Sequence, residues 1–295
     1  MKKVICIVFA LCLAGCTTLI KKPQILSVKK IAIVSIYANA DLHDVKAPKN
    51  PTSTLSFLTA MMGKEKDKSI ESNELVQIVT YGLKAYGEQL DSISNWSVLP
   101  PLEVLKSNKY QELMKEGNDS FMGELLKALK KAEGSQWVTP PAMPRIPADS
   151  LTRGKGRTVI IKGQRDPVKY AQMKMAELCK ELEVDAVAIV GLDLAYKSGM
   201  LSGMKGTGLL SGVRGKATPA VASEIIVITK NAEIVVESKL LSQGGTYSHS
   251  YSVPMMMKGK PNLQDSNGKS VEAYYSAVKK SAEVLKKQIN KELSK

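Results

Sequence analysis

Only two histidines occur in this chain, and each has neighbours with which it could do chemistry. Asp41, His43 and Asp44 could supply ligands to a metal ion, because imidazole and carboxylate groups bind Zn²⁺ and related metals. Their spacing matches no established metal-binding motif, so we interpret them as polar loop residues. His249 lies between two serines and could be the base of a hydrolase. A catalytic triad also needs an orienting acid, however, and the sequence contains no Gly-x-Ser-x-Gly motif.

Three other groups with potential chemistry also lack the neighbours that they would need. Asp185 and Asp193 flank one apolar run and could form a paired carboxylate site, although aspartates at strand ends usually cap or turn the chain. Cys179 lies in a predicted helix with no histidine beside it, which indicates a buried structural thiol rather than a reactive nucleophile. Gly268-Lys269-Ser270 resembles the end of a phosphate-binding loop, but Leu263 occupies the position of its first glycine. We therefore expect no enzymatic activity, no catalytic residue, no metal and no organic cofactor.

An alternation of strands and helices must position these residues. The run 31–37 is apolar except for Ser35 and is rich in β-branched residues, which predicts a central strand covered on both faces. Apolar residues at three- and four-residue steps predict helices at 75–93 and 168–182, and the second leads directly into a buried strand at 184–190. Further predicted elements are a short strand at 96–99, helices at 102–115 and 120–132, a hairpin of strands at 222–229 and 232–239, an edge strand at 247–253 and a helix capped by Ser270. This order predicts an α/β (or α+β) fold, with a mixed sheet of about five to six strands covered by helices and a long C-terminal amphipathic helix.

Polar, proline-rich and glycine-rich segments connect the predicted elements. Residues 39–69 predict a long connection or flap, residues 139–147 an extended segment across the surface, and residues 198–215 a glycine-dense loop. The window 153–169 is the most basic part of the chain. It could contact an anion, or it could be a solvated loop around a short strand at 158–161. The candidate anion-contacting residues are Arg153, Lys155, Arg157 and Arg165.

The start of the chain has the layout of a secretory signal. Lys2 and Lys3 precede a nearly unbroken apolar run, 4–13, which is followed by small residues. The run is shorter than the roughly 20 residues that a stable membrane-spanning helix needs, so it is suited to insertion and removal. We expect cleavage just before Cys16. Cleavage at an ordinary small-residue site, or a retained anchor, is the alternative.

The residues Leu13-Ala14-Gly15-Cys16 closely resemble the lipobox of bacterial lipoproteins. The resemblance implies that a signal peptidase recognises Leu13, Ala14 and Gly15, and that Cys16 becomes the first mature residue and carries three acyl chains, palmitate among them. Several chains hold a protein firmly to a bilayer, whereas one holds only weakly. Thr17 stands where an Asp commonly retains such proteins at the inner membrane. The resemblance therefore implies the periplasmic face of the outer membrane, with another bacterial membrane as the alternative.

The expected organisation follows from this cleavage. Residues 1–15 are the lipoprotein signal peptide, residues 16–29 a lipidated basic tether, and residues 30–295 a single α/β periplasmic domain. Lysines in the tether would lie near anionic lipid headgroups. No internal disulfide can form in the mature chain, because Cys16 is acylated and Cys179 is then the one remaining cysteine of the sequence.

The formal net charge of +14 favours anionic neighbours. It falls to +12 if Lys2 and Lys3 leave with the signal, and lysine supplies most of it. In a cell envelope the expected partners are membrane lipid, contacted through the acyl anchor, and an envelope protein or anionic polymer. We expect no nucleic-acid partner, because we expect an exported protein and find no recognition motif.

The order of elements resembles the α/β domain of periplasmic lipoproteins, among them curli-secretion lipoproteins and lipoprotein activators of penicillin-binding proteins. The residues that carry the resemblance are the opening strand at Lys30-Ile31-Ala32-Ile33-Val34 and the helix-to-strand step at Glu183-Val184-Asp185-Ala186-Val187. Late paired strands and a closing helix extend it. Pore-forming members insert long alternating hairpins into the membrane, and we identify none in this sequence.

These patterns together predict a non-catalytic cell-envelope lipoprotein whose domain binds an envelope protein or polymer. The alternative is an oligomeric subunit of an export or envelope-assembly complex, which would self-assemble through residues 39–69 or the glycine-dense loop. A third hypothesis is an envelope hydrolase that uses His249 and Asp185.

Overall fold

The computed structural model describes residues 17–44, 72–114, 137–152, 166–198, 213–243, 249–253 and 269–295. The lipobox, the candidate anion-contacting residues, the predicted helix at 120–132 and the predicted strand at 158–161 lie outside the described residues.

In this part of the chain, eight strands and five α-helices are present. The strands are β1 (Thr17–Ile20), β2 (Lys30–Asp44), β3 (Ser97–Val98), β4 (Trp137–Val138), β5 (Ala186–Ser198), β6 (Val213–Thr229), β7 (Ile234–Gln243) and β8 (His249–Val253). The helices are α1 (Ser72–Asp91), α2 (Pro101–Lys106), α3 (Asn108–Met114), α4 (Pro167–Glu181) and α5 (Lys269–Leu293).

The strands form one mixed sheet in the order β1-β7-β6-β5-β2-β3, with β4 paired to β2 and β8 paired to β6. β2 runs parallel to β3 and to β5, while the other pairings are antiparallel. The sheet is not closed. This architecture confirms the predicted α/β fold with a mixed sheet and a long C-terminal helix. The sheet has more strands than predicted, because β1 and β4 were not expected.

Helices cover both faces of the sheet. α1 and α5 pack on one face, in an apolar cluster that includes Ile31, Ile33 and Ile36 of β2. α2, α3 and α4 cover the other face, in a cluster that includes Ala32 and Val34 of the same strand. All residues 31–38 are buried, which confirms the prediction of a central strand covered on both sides.

β2 continues further than the sequence predicted. Residues 39–44, assigned to a flap by their polarity, extend the strand and place His43 opposite Ala195 of β5. The prediction was wrong for these residues because pairing with a neighbouring strand satisfies backbone N–H and C=O groups whatever the side chains are. The rest of the predicted flap, 45–69, lies outside the described residues.

The segment 139–147 also differs from its prediction, because it packs against β2 instead of crossing the surface. Met143 and Ile146 are buried. Ser35 of β2 holds the segment in place: its Oγ donates to Pro144 O at 2.9 Å and accepts from Ile146 N at 2.9 Å. A serine within a buried strand therefore satisfies backbone groups that this irregular segment could not pair within itself.

Helix boundaries follow the predictions with two exceptions. The helix predicted at 102–115 is divided at Ser107, whose backbone is extended (ψ 127°) and whose Oγ accepts a hydrogen bond from Tyr110 N at 3.2 Å. This serine thus ends α2 and caps α3. Ser270 lies inside α5, which begins at Lys269, and is not its N-cap.

β5 and β6 form a long hairpin that the sequence did not predict. They pair from Ala186–Thr229 to Ser198–Ala217, whereas the apolar runs predicted strands only at 184–190 and 222–229. Both strands greatly exceed the usual length of about 5–6 residues. The outer half was missed because its apolar residues, such as Leu192 and Leu194, alternate with polar ones such as Asp193 and form no continuous apolar run.

Two glycines of α1 give different predictions. A Cβ at Gly82 would stand 3.0 Å from Ile36 Cδ1 and 3.2 Å from Leu192 Cδ1, whereas a Cβ at Gly87 would meet nothing within 4 Å. Alanine has the higher helix propensity, so we expect Gly87→Ala to raise the free energy of unfolding by about 0.5–1 kcal/mol and Gly82→Ala to give no such gain. Urea unfolding followed by circular dichroism measures both. An equal gain at Gly82 would contradict the close approach of α1 to the sheet.

Candidate functional site at the amino-terminal edge of the sheet

The first described residues form β1, a strand at one edge of the sheet. β1 pairs antiparallel with β7, and Thr17 lies opposite Lys239. Thr18 ties this strand to its neighbours, because its Oγ1 lies 2.8 Å from Ser238 Oγ and donates to Gln288 Oε1 of α5 at 2.8 Å. The strand is therefore fixed both to β7 and to the helix beneath the sheet.

The residues after β1 continue this attachment. Ile25 and Val28 are buried in the apolar cluster that α1 and α5 share. The prediction of a tether over 16–29 is therefore wrong for residues 17–29, because strand pairing and apolar burial hold them on the domain. Cys16 is bonded directly to the first residue of β1, so a group attached to it would be held beside the edge of the sheet.

Asp185 joins the amino-terminal segment to the rest of the sheet. One carboxylate oxygen accepts from Lys29 N at 3.0 Å and from Lys30 N at 3.1 Å. The other pairs with Lys230 Nζ at 2.8 Å, at the turn between β6 and β7. Partial burial by itself raises the pKa of Asp185, but the hydrogen bonds from Lys230, Lys30 and Lys29 outweigh it, and the net effect is a lowered pKa. Asp185 acts as a structural clamp between the starts of β2 and β5 and the β6–β7 turn.

The structure separates Asp185 from the residues with which it could have formed a site. Asp193 lies in β5, eight residues further along the chain, which corresponds to about 26 Å in an extended strand. His249 pairs with Ala217, twelve residues from the end of β6 that adjoins Asp185. This corresponds to roughly 40 Å. The structure therefore assembles neither the paired carboxylate site nor a hydrolase site that combines His249 with Asp185.

The candidate metal-binding residues are strand residues and not loop residues. Asp41, His43 and Asp44 belong to the last part of β2, alongside β5. Among the residues that the structure describes, no three His, Cys, Asp or Glu side chains are close enough together to hold a metal ion.

Cys179 is buried where α4 packs on the sheet. Its Sγ donates a long hydrogen bond to Ile228 O at 3.7 Å, and burial raises the pKa of the thiol to about 12. The thiolate is the reactive form of cysteine, so this thiol is inert near neutral pH. The prediction of a buried structural thiol is confirmed.

This burial predicts the reactivity of Cys179. We expect the folded protein to resist alkylation of Cys179 by iodoacetamide at neutral pH and to react fully once urea unfolds it, because both exposure and ionisation are suppressed in the fold. The mass increase after treatment measures the reaction. A Val284→Cys variant is the control, since Val284 is exposed on α5 and a thiol there should react in both states. Rapid alkylation of Cys179 in the folded protein would contradict the burial.

A cluster of aromatic and guanidinium groups beside β2 was missed from the sequence. Arg145 lies over the Trp137 ring, with its guanidinium carbon 3.9 Å from the ring centre, and 5.2 Å from the ring centre of Tyr37. The two rings meet edge to face at 5.1 Å, and Tyr37 Oη accepts from Ala148 N at 2.9 Å. Cation–π contacts of this kind hold the segment 137–148 against the strand. A Trp and an Arg separated by prolines match no sequence motif that would have revealed the contact.

Comparison with known proteins adds no family. No protein-family model matches this chain, and no curated protein matches it either. None of the described helices combines the length and the apolar character needed to cross a membrane.

Proposed function

We propose that this protein is a non-catalytic lipoprotein of the bacterial cell envelope, anchored by acyl chains on Cys16, whose α/β domain binds an envelope protein or an anionic polymer. The observation that carries the proposal is the quartet Leu13-Ala14-Gly15-Cys16 at the end of a short apolar run. The proposed location is the periplasmic face of the outer membrane, because Thr17 and not Asp follows the cysteine.

The beginning of the fold supports this proposal. Cleavage before Cys16 would remove residues 1–15 only, and β1 begins at Thr17. Every contact between two described residues would therefore survive maturation. The acylated residue would also adjoin the edge strand, so the anchor would act directly on the folded domain.

The roles of two potentially reactive groups favour binding over catalysis. Asp185 is engaged by backbone and lysine donors, and Cys179 is buried with a raised pKa. The net charge of the mature chain supports an anionic partner, because a strongly basic surface attracts acidic polymers and acidic proteins.

The second candidate function is an oligomeric subunit of an export or envelope-assembly complex. The long β5–β6 hairpin favours it, since its strands of 13 and 17 residues greatly exceed the usual strand length of about 5–6 residues. The mass of the detergent-extracted protein distinguishes the candidates. A monomer would exclude a self-assembled ring, and a defined oligomer would support one.

Palmitate labelling in cells that express the full chain tests the anchor. We expect the wild type and Cys179→Ala to incorporate labelled palmitate and to sediment with membranes, because Cys16 supplies the sulfur that starts acylation. We expect Cys16→Ala to incorporate none and to remain unprocessed. Cys179→Ala is the matched control, since it removes the other thiol of the mature chain. An unlabelled wild type, or a labelled Cys16→Ala protein, would reject the proposal.

A further inference from the structure

The strands at one end of the sheet expose large apolar side chains on the same face. Leu19 of β1 is 56% exposed and Leu241 of β7 is 40% exposed. Leu19 lies opposite Glu237, and alternate residues of a strand share a face. Leu19, Glu237 and Leu241 therefore lie on one face, opposite to the face that α5 covers.

α4 leaves this end of the sheet uncovered. The helix packs against Ile226 and Ile228 of β6, and an open cavity of about 390 Å³ separates its first turns from Ile234 and Glu237 of β7. Met173 lines this cavity on the helix side and is 49% exposed. Three of the six exposed large apolar side chains among the described residues thus border one end of one sheet face.

The same end of the sheet carries the proposed anchor. Cys16 is bonded to Thr17, which lies opposite Lys239, two residues from Leu241. Leu19 is three residues from Cys16, which corresponds to about 10 Å in an extended strand. Because β1 is held by β7 and α5, acyl chains on Cys16 cannot enter a bilayer without bringing this edge of the sheet to the bilayer surface.

The charges at this edge suit the headgroup region of a membrane. Lys21 directly follows β1 and is exposed, and anionic lipid attracts lysines placed at its surface. Glu237 and the ion pair between Lys239 Nζ and Glu224 Oε1 at 2.9 Å lie on the same face. Charged groups are costly to bury in hydrocarbon, so the contact must be shallow, at the boundary between headgroups and acyl chains.

We propose that Leu19, Met173 and Leu241, together with Lys21, form a membrane-docking face that rests on the surface of an anionic phospholipid bilayer. This inference deepens the proposed function and rests on the acylation of Cys16. The anchor on Cys16 determines which edge of the sheet lies at the membrane, and the docking face determines how the domain is oriented on it. The domain therefore rests on the membrane along β1 and β7, with β3 and α2 at the far end of the sheet directed away from it.

Fluorescent labels on single introduced cysteines test this face. The mature protein offers no competing thiol, because Cys16 is acylated in this account and Cys179 is buried. Leu19→Cys and Leu241→Cys report on the docking face. Leu102→Cys is the control, since Leu102 is 71% exposed on α2, near the far edge of the sheet. The acylated full chain is reconstituted in vesicles of phosphatidylethanolamine and phosphatidylglycerol that contain brominated lipid, which quenches fluorescence within the bilayer.

We expect loss of fluorescence from labels at Leu19 and Leu241 and none from the label at Leu102. Equal fluorescence at all three positions, in protein that carries palmitate and floats with the vesicles, would overturn the docking face and leave the anchor standing. Protein that carries no palmitate and does not float would overturn both proposals. Labels at Leu19 and Leu241 that escape brominated lipid, yet are shielded from a water-soluble quencher in detergent, would assign the face to a second copy of the chain and overturn membrane docking.

A charge-insertion series provides an independent readout. We expect Leu19→Glu and Leu241→Glu to weaken the quenching by brominated lipid of a label at the neighbouring leucine, and Leu102→Glu to leave that quenching unchanged, because only the first two place a carboxylate against an anionic surface. All three substitutions are at exposed positions, so the core is undisturbed. Unchanged quenching in the first two variants would contradict the docking face.

Discussion

Replacing Asp185 with asparagine is expected to lower the free energy of unfolding by about 1–3 kcal/mol. The change removes the charge that pairs with Lys230 and weakens the hydrogen bonds from Lys29 N and Lys30 N. These bonds join the starts of β2 and β5 to the β6–β7 turn, so their loss acts on the centre of the sheet. Urea unfolding near neutral pH measures the effect.

Glu183→Gln is the matched control for this prediction. It makes the same chemical change two residues earlier, at an exposed side chain, and should alter stability by less than about 0.5 kcal/mol. An equal loss of unfolding free energy in the two variants would contradict the clamp, because it would show that any acidic side chain in this turn contributes equally to stability.

The clamp also predicts a pH dependence. Because the pKa of Asp185 is lowered in the folded state, its contribution to stability is complete above its ordinary pKa and is lost as the pH falls through the folded pKa. The stability difference between the wild type and Asp185→Asn should therefore be constant near neutral pH and shrink in acid. A difference that is as large in strong acid as at neutral pH would contradict the role of the charge.

Replacing Gly191 with alanine is expected to lower the free energy of unfolding by about 1–3 kcal/mol, the usual cost of overfilling a packed interior. A Cβ at this position would stand 2.9 Å from Tyr37 Oη and 3.0 Å from Tyr37 Cζ. Tyr37 is buried between β5 and the segment that Arg145 and Trp137 hold in place, so its ring has little room to move. Displacing the ring would also break the hydrogen bond that Tyr37 Oη accepts from Ala148 N.

Tryptophan fluorescence provides a local check on the Gly191 prediction. Trp137 contacts Tyr37 directly, so Gly191→Ala should shift the emission of the folded protein, whereas Gly87→Ala should not. The second variant is the control, because it makes the same substitution where no atom obstructs the new methyl group. Unchanged stability and unchanged emission in Gly191→Ala would show that Tyr37 does not lie over Gly191 as described.

The elements that the sequence predicted well are those with a strong local signal. The spacing of apolar residues along the chain indicates the buried faces of these elements. They are the apolar run of β2, the apolar stripe of α1 and the step from α4 into β5. Such patterns reflect the core directly, because a helix or strand of this composition is stable only when its apolar face is covered.

The elements that the sequence missed depend on distant partners. β1 exists as a strand because β7 pairs with it more than two hundred residues later, and the ends of β2, β5 and β6 are strands because they pair with one another. Ser281 illustrates the same limit in the core. Its hydroxyl accepts a hydrogen bond from Tyr86 Oη at 2.9 Å and forms another with Ser223 Oγ. A polar side chain therefore lies within the apolar face of α5. Periodicity alone gives no sign of such partners.

The residues of the candidate site also differ in how clearly the sequence reveals them. Leu13-Ala14-Gly15-Cys16 is a local pattern and could be recognised from four residues. Asp185 carried no comparable signal, since an aspartate at a strand end is equally consistent with a cap, a turn or a catalytic group. Only the positions of Lys29, Lys30 and Lys230 around it identify the clamp.

The mass of the amino-terminal peptide of the mature protein shows whether Cys16 is the acylated first residue. The full chain is expressed in cells, extracted with detergent from their membranes and digested, and the first peptide is fragmented in a mass spectrometer. We expect a peptide that begins at Cys16 and carries three acyl chains, with Thr17 next in sequence. A first peptide that begins at any other residue, or one with an unmodified Cys16, would contradict it.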